Sequence, residues 1–421
     1  MRIVYVWDAD YPWDVRTEKV CLALADAGHE VHIAARNRQW RPLRERLPEG
    51  EVHRMPPWRW AGRRLDGALS FPAFLSPRWI AHLDRVVREA RPDVVIARDL
   101  PLCPTAIRAA RKAGAAVVFD MAENYPERLR DIRAIGRQRG WDFLVRNPAA
   151  AEAVERWCLP RVDRVLAVVE ESAGRVVRMG VPAARVAVVS NTPPAARARE
   201  TPPREPRGAG EPLGLVYLGL MEVPRGLADL LRAVALLRGR GVEVRLRLIG
   251  RGRDLPVLQA LAGELGLEPP WVEFAGWVPG HADALARVAA ADVAVMPHHA
   301  TEAWNTTISN KTFDFMAAGL PVVSSDAAPA ARILRETGAG VVVPSRDPAA
   351  LAAAIERLRD PALREALGRA GQRAVLSTYN WEADAAELLR VVESAAAERA
   401  DAARGPLPAE LEAEAAPAPA R

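Results

Sequence analysis

The chain has 421 residues, 50% hydrophobic and 26% charged, a balance that excludes a wholly disordered polymer and suits two or three domains. No apolar run reaches the ~18–20 residues that a membrane-spanning helix needs. The net charge of +5 rests on 55 arginines against only three lysines, Lys19, Lys112 and Lys311, so a single arginine says little, and with no binding motif beside it the charge does not indicate nucleic acid.

The opening Met1–Asp8 reads as a buried strand rather than a signal peptide, because Asp8 and Asp10 interrupt the apolar run early. Cys21, Cys103 and Cys158 are widely spaced and suggest neither a metal site nor a disulfide framework, which implies a reducing, cytoplasmic setting. Short Val/Ile-rich runs then alternate with amphipathic Ala/Leu/Arg stretches, the signature of βα units around a parallel sheet. Strands are expected at 2–7, 30–35, 52–56, 94–98, 116–120, 164–169 and 185–190, with helices at Thr17–Ala27, Arg78–Ala90 and Thr105–Ala113 among those between. Residues 193–212 carry Pro and Gly without apolar periodicity and read as a linker. A second strand series follows at 213–219, 243–250, 271–275, 293–297, 320–324 and 340–343. The expectation is an α/β protein of two doubly wound, Rossmann-like domains: residues 1–192, a linker at 193–212, and residues 213–380. A closing helix at 381–399 and a disordered tail at 400–421 complete it.

In such sheets ligands bind at the carboxyl ends of the strands. In the first domain this edge holds Asp99, Asp120 and Glu123, with Glu123 either a cleft residue or a helix N-cap. The loop Trp7–Arg16 brings Asp14 and Arg16, which either reach the cleft or form a local ion pair. In the second domain the first strand ends at Gly219, and Arg225 stands just before a helix. A cation there adds to the positive end of the helix dipole and suits a diphosphate; the bland reading is a surface arginine on a turn. Gly250 ends the next strand in a G-x-G turn too short for a dinucleotide fingerprint. Trp277 and Val278 follow the third and offer backbone groups to a base edge.

The most informative segment is Ile308–Val323. Ser309 is a plausible N-cap and Gly319 a C-cap. Lys311 in the first turn is on the unfavourable side of the dipole unless an anion binds there, and Asp314 lies on the same face three residues on. One cation for phosphate and one carboxylate for ribose suits a nucleoside diphosphate; the alternative is an i,i+3 ion pair worth only ~0.3 kcal/mol.

The segment SNKTFDFMAAGLPVVSSD closely resembles the donor-site helix of GT-B glycosyltransferases of the retaining family 4 type, whose pattern reads roughly PNKxFEYMAxGxPVxxSD. VYLGLMEVPRG, RLIGRG, VEFAGWV, AAADVAVMP and the earlier VAVVSNTPP with Asn191 resemble the family's other motifs in order, from about residue 1 to 392. The resemblance implies a GT-B fold with an interdomain cleft and a nucleotide-diphosphate sugar as donor, with UDP favoured. No cofactor is implied. Arg225 and Lys311 would hold the diphosphate, catalytically with Glu123; Gly219, Gly250, Trp277, Val278, Ser309 and Asp314 would complete the donor site. Asp14, Arg16, Asp99, Asp120 and Glu123 would line the acceptor side. Trp381 stands where the family's closing helix begins and returns toward the first domain. The chain departs from the family at Thr306, where a Glu is usual, and at Ala122, where a His is usual; Glu302 is the nearest acid to the first gap.

The histidines show no ligand spacing, His298 and His299 are adjacent and diverge, and D-x-D is absent. Arg225 and Lys311 can neutralise the leaving group, so metal independence is expected. Nine arginines against three glutamates at 36–64, interleaved with Trp40, Trp58 and Trp60, and six arginines against two aspartates at 128–146, with Trp141 and Phe143, fit an anionic membrane surface or arginine bias with buried tryptophans. The function read is transfer of a hexosyl or N-acetylhexosaminyl group to a glycan or lipid-linked acceptor, in the cytoplasm or at the inner face of the cell membrane. The rivals are a nucleotide-sugar epimerase and a non-catalytic sugar-nucleotide-binding paralogue.

Overall fold

The computed structural model describes residues 1–12, 14–71, 74–136, 146–201 and 211–404. The first sheet contains β1 (Arg2–Asp10), β2 (Glu30–Arg36), β3 (Arg44–Leu47), β4 (Gly50–Arg54), β5 (Val94–Arg98), β6 (Ala116–Met121), β7 (Arg164–Ala167) and β8 (Val186–Val188), in the order β3-β4-β2-β1-β5-β6-β7-β8. All its pairings are parallel except β3 with β4. The second contains β9 (Leu213–Leu218), β10 (Val244–Ile249), β11 (Val272–Gly276), β12 (Val293–Met296), β13 (Val322–Ser325) and β14 (Gly340–Val343), all parallel, in the order β11-β10-β9-β12-β13-β14. The central strands are apolar runs because both faces are covered: Val94–Ala97 and Val293–Met296 are buried throughout.

In the first half the helices are α1 (Val15–Asp26), α2 (Gly62–Leu69), α3 (Pro77–Ala90), α4 (Cys103–Ala113), α5 (Tyr125–Ala134), α6 (Pro148–Cys158) and α7 (Glu170–Arg178). α3 shows why they pack: Trp79, His82, Leu83, Val86, Val87 and Ala90 fall on one buried stripe. After α8 (Ala195–Glu200) come α9 (Leu227–Gly239), α10 (Leu255–Glu264), α11 (His281–Ala289), α12 (Asn310–Ala317), α13 (Ala328–Thr337), α14 (Pro348–Arg357), α15 (Pro361–Ser377) and α16 (Trp381–Arg404). In α16, Leu388, Val391, Val392 and Ala395 join the core beneath the first sheet, so the last helix returns to the opening domain. The three cysteines are free and buried.

The structure changes several sequence expectations. The charged segment RERL forms the edge strand β3, which carries no apolar signal because one side faces solvent. The first part of the expected linker is the helix α8, with Ala195 and Ala198 buried and Arg197 paired with Asp314; residues 202–210 lie outside the described residues. The supposed loop Trp7–Arg16 is strand through Asp10 and helix from Val15. Residues 400–404, expected in the tail, continue α16, while 405–421 lie outside the described residues. Among the described residues, no helix is long and apolar enough to cross a membrane.

Candidate active site

Both sheets reverse their strand order at one point, between β1 and β5 and between β9 and β12. Their carboxyl ends face each other there, and a cleft of about 870 Å³ opens between the domains. One wall holds Asp8, Asp14, Arg98, Asp99, Glu123 and Arg128; the other holds Glu222, Arg225, Arg253, Trp304, Ser309 and Asn310.

The first wall is built from paired charges. Asp14 N-caps α1 by accepting from Thr17 N at 2.8 Å and approaches Arg98 Nη1 at 3.2 Å. Arg98 also meets Asp99 at 3.5 Å; burial opposes its charge, but Asp99, Tyr5, Asp14 and Asp120 outweigh this and hold its pKa above the ordinary value. Asp99 accepts from Ala122 N at 3.0 Å and has φ +59. Burial pushes its carboxyl above the usual range, only partly opposed by Arg98. Asp8 is pushed up to about 6 by burial, again against Arg98. Glu123 lines the cleft and pairs with Arg128, while the N-cap of α5 is its neighbour Asn124.

Arg16 and Asp120 do something different from the expected acceptor contact. Arg16 Nη2 meets Asp120 Oδ1 at 2.6 Å, Tyr5 Oη donates to Asp120 at 2.7 Å, and Arg16 Nη1 donates to the carbonyl of Val189 at 2.9 Å. Asp120 is 0% exposed and does not face the cleft, although one edge of Arg16 does. Burial raises the Asp120 pKa, but Arg16 and the hydrogen bonds more than offset that and hold it below the usual carboxylate range. The pair ties α1 to the end of β6.

The second wall is built from chain ends. β9 leaves its sheet at Gly219, and a short turn, Val223–Arg225, leads to Gly226 at φ +68. A Cβ on Gly226 would stand 1.8 Å from Pro297 O, so glycine is required for the start of α9 to pass the chain that leaves β12. A Cβ on Gly250 would meet Gly219 O at 1.9 Å for the same reason. Arg225 stacks over Trp304 at 4.5 Å and lies 3.5 Å from His298 Nε2. His298 is buried against Trp304; burial, then Arg225 and His299, keep its pKa well below the ordinary value. His299 turns instead to Asp229, at 3.0 Å. Ser309 N-caps α12, accepting from Lys311 N, and the start of that helix borders the cleft.

Other donor residues expected from sequence are not brought to the cleft. Lys311 Nζ bonds Asp314 Oδ2 at 2.8 Å, and Asp314, 5% exposed, also pairs with Arg197 of α8. The i,i+3 ion pair is therefore what forms, held by an arginine from the connection between domains. Gly219 and Gly250 shape the strand ends without facing the opening. Val278 is buried, and Trp277 is exposed under Arg251 at 4.5 Å. Thr306 is buried and accepts from Asn124 Nδ2 at 3.1 Å, while Thr307 donates to the carbonyl of Ala122 and Thr301 donates to Asp131 at 2.8 Å. The positions that depart from the family thus carry bonds between the domains. Glu302 does not border the cleft.

Sequence reading missed Arg98, Arg128, Arg253 and Trp304. The three arginines were hidden by the arginine-rich background, although Arg98 ends β5 and Arg253 follows the end of β10. It also missed a histidine cluster: His32, Glu51 and His53 converge on the first sheet, away from the cleft. The repeated tripeptide Glu-Val-His, at 30–32 and 51–53, was its signal.

The fold and motifs have counterparts. Residues 14–192 match the family described as glycosyl transferase 4-like domain, and residues 212–360 match glycosyl transferases group 1. A phosphatidyl-myo-inositol mannosyltransferase of Mycobacterium leprae is 36% identical over 196 residues, 45% of this chain and 50% of that protein. A glycogen synthase of Mycobacterium tuberculosis is 27% identical over 301 residues, 70% of this chain and 67% of that protein. The match thus spans about half the length of the mannosyltransferase. Among solved structures, sucrose-phosphate synthase from Thermosynechococcus elongatus aligns over 94% of this chain and 99% of that one, with TM-score 0.74 and 20% identity. The Anabaena protein HepE in complex with UDP aligns over 94% and 100%, with TM-score 0.65 and 15% identity. Two facing doubly wound sheets and two glycosyl transferase domain matches in chain order lead to one conclusion: the chain belongs to the GT-B glycosyltransferases, of the family 4 type.

Proposed function

We propose that the protein transfers a hexosyl or N-acetylhexosaminyl group from a nucleotide-diphosphate sugar, with UDP favoured, to an acceptor hydroxyl, retaining the anomeric configuration, in glycolipid or surface-glycan synthesis. The observation that carries this reading is the placement of Arg225 and the start of α12 on one wall of the interdomain cleft, opposite Glu123 and Arg98. Cleaving the sugar–diphosphate bond loads negative charge onto the leaving phosphate. Arg225, held over Trp304, and the unpaired amides at helix N-termini supply fixed positive charge there. Arg253 adds a second cation on the same wall. Glu123 and its partner Arg128 lie toward the acceptor and the reacting sugar, and the leaving phosphate helps take the acceptor proton. With these cations in place, transfer needs no metal ion, and a chelator leaves the rate unchanged.

Relatives named for phosphatidyl-myo-inositol support a lipid acceptor presented at a membrane. The surface offers a docking patch: Trp58 and Trp60 stack at 5.7 Å, Trp60 is 79% exposed, and Arg78 lies over Trp58 at 4.4 Å. Aromatic rings beside arginines suit an anionic interface. Trp40 instead turns toward Asp66, and Trp141 and Phe143 lie outside the described residues.

Labelled nucleotide sugars incubated with the protein and lipid acceptors separate this function from its rivals. Transfer of label to the acceptor is expected. Conversion of the donor to an epimer would establish the epimerase, and binding without turnover the non-catalytic paralogue.

A further inference from the structure

The strands β2 and β4 pair in parallel with His32 opposite Glu51 and Ala34 opposite His53. Side chains alternate across a strand, so Glu30 and His32 on β2 share a face with Glu51 and His53 on β4. This is the face covered by α3: Ala34 and Met55, next along each strand, join the core beneath that helix. His32 and His53 are 5% and 3% exposed. His32 Nδ1 and His53 Nε2 stand 3.0 Å apart. The Glu51 carboxylate approaches the same two atoms at 3.9 and 3.7 Å. One ligand atom from each of the three residues lies within 4.8 Å of the others.

We propose that His32, His53 and Glu51 form a binding site for one zinc-class divalent cation, outside the sugar-transfer cleft.

The geometry is close to what a metal requires. Two imidazole nitrogens about 2.0–2.1 Å from a tetrahedral zinc lie about 3.3 Å from each other. Each Glu51 oxygen stands nearest a different imidazole, Oε2 to His32 and Oε1 to His53, so a small turn of the carboxylate would complete a three-residue set and leave the fourth position to water. Carboxylates stand near the remote ring nitrogens without hydrogen-bonding them in this structure: Glu30 lies 3.2 Å from His32 Nε2, and Glu89 of α3 lies 3.9 Å from His53 Nδ1. A carboxylate behind a ligating imidazole fixes its tautomer and raises its basicity.

Charge points the same way. Three carboxylates, Glu30, Glu51 and Glu89, stand around the histidines, and Arg44 pairs with Glu51 and Glu89 among the described residues. A divalent cation offsets the remainder, which a hydrogen bond between two neutral imidazoles does not. Two imidazoles and one carboxylate favour zinc over magnesium or calcium, which take oxygen ligands. None of these residues borders the cleft, so the metal would fasten the outer strands to α3 and take no part in transfer.

The test uses untagged full-length protein, stripped with a chelator and titrated with Zn²⁺ by calorimetry and with Co²⁺ by visible absorption. One equivalent of Zn²⁺, a rise in melting temperature and tetrahedral Co²⁺ bands are expected. His53→Ala should abolish all three. Glu51→Gln, at a half-buried position that keeps the fold, should weaken Zn²⁺ at least about tenfold. Failure of the stripped wild type to bind Zn²⁺ stoichiometrically, or equal affinity in Glu51→Gln, would overturn the assignment.

Discussion

The two walls of the cleft are made from the same kind of strand ends but carry their charge in opposite ways. On the first, nearly every charged group already has a partner: Arg16 with Asp120, Arg98 with Asp14 and Asp99, Arg128 with Glu123. On the second, neither Arg225 nor Arg253 has a carboxylate partner among the described residues, and helix ends add unpaired amides. A wall whose arginines are all engaged by carboxylates offers a ligand no free cation. A wall that keeps its positive charge unspent awaits an anion. The contrast fits the proposed function, with the donor on the second wall and the acceptor against the first.

The largest effect should come from breaking the first wall. Asp120→Ala leaves Arg16 buried without its partner, a loss of about 3–5 kcal/mol. Urea unfolding should register it as a lowered midpoint. An unchanged midpoint with weakened acceptor binding would instead return Asp120 to the acceptor site and erase the contrast.

On the second wall the same kind of truncation should leave stability alone and remove activity. A hydrogen bond to a charged group contributes ~1.5–3 kcal/mol, so Arg225→Ala should lower kcat/KM by about 10- to 150-fold. Its melting temperature should match the parent's. A large fall in both would mean that Arg225 holds the turn after β9 rather than the phosphate.

Much of the fold was legible because parallel strands and amphipathic helices write different periods into the sequence. β3 was not, because a charged edge strand has no apolar face to display. α8 was not, because its six residues are held by Arg197 and Asp314, partners that lie far apart in sequence. The N-cap Ser309 could be read from its neighbours alone. The cleft role of Asp120 was misread because strand-end position does not reveal that α1 folds over it with Arg16. His32, Glu51 and His53 meet only through the pairing of β2 with β4, and that pairing is a property of the sheet.

A smaller effect sharpens the picture of the first wall as a buried charge network. Asp8 is pushed from 3.8 up to about 6, chiefly by burial, with Arg98 opposing and Glu123 reinforcing. A carboxyl raised in the folded state favours folding while protonated. That contribution is complete below about pH 4 and is lost as the pH rises through about 6. Asp8→Asn keeps the neutral form throughout. The variant should match the parent below about pH 4 and exceed it in stability at pH 7. Melting temperatures at the two pH values check the sign.

The smallest effect concerns the residue on which the contrast is most exposed. Lys311 would join Arg225 as a donor cation if its side chain swung into the cleft, but it is engaged with Asp314 at 2.8 Å, and Asp314 is held in turn by Arg197. Releasing it means leaving an i,i+3 pair worth ~0.3 kcal/mol, a barrier that a diphosphate could overcome. The engaged geometry predicts that Lys311→Ala lowers kcat/KM by less than about threefold and stability by ~0.3 kcal/mol. Arg197 still satisfies Asp314 in that variant, so no carboxylate is stranded. A loss as large as that of Arg225→Ala would show that the donor recruits Lys311 on binding. The second wall would then be assembled by its ligand, whereas the first is complete without one.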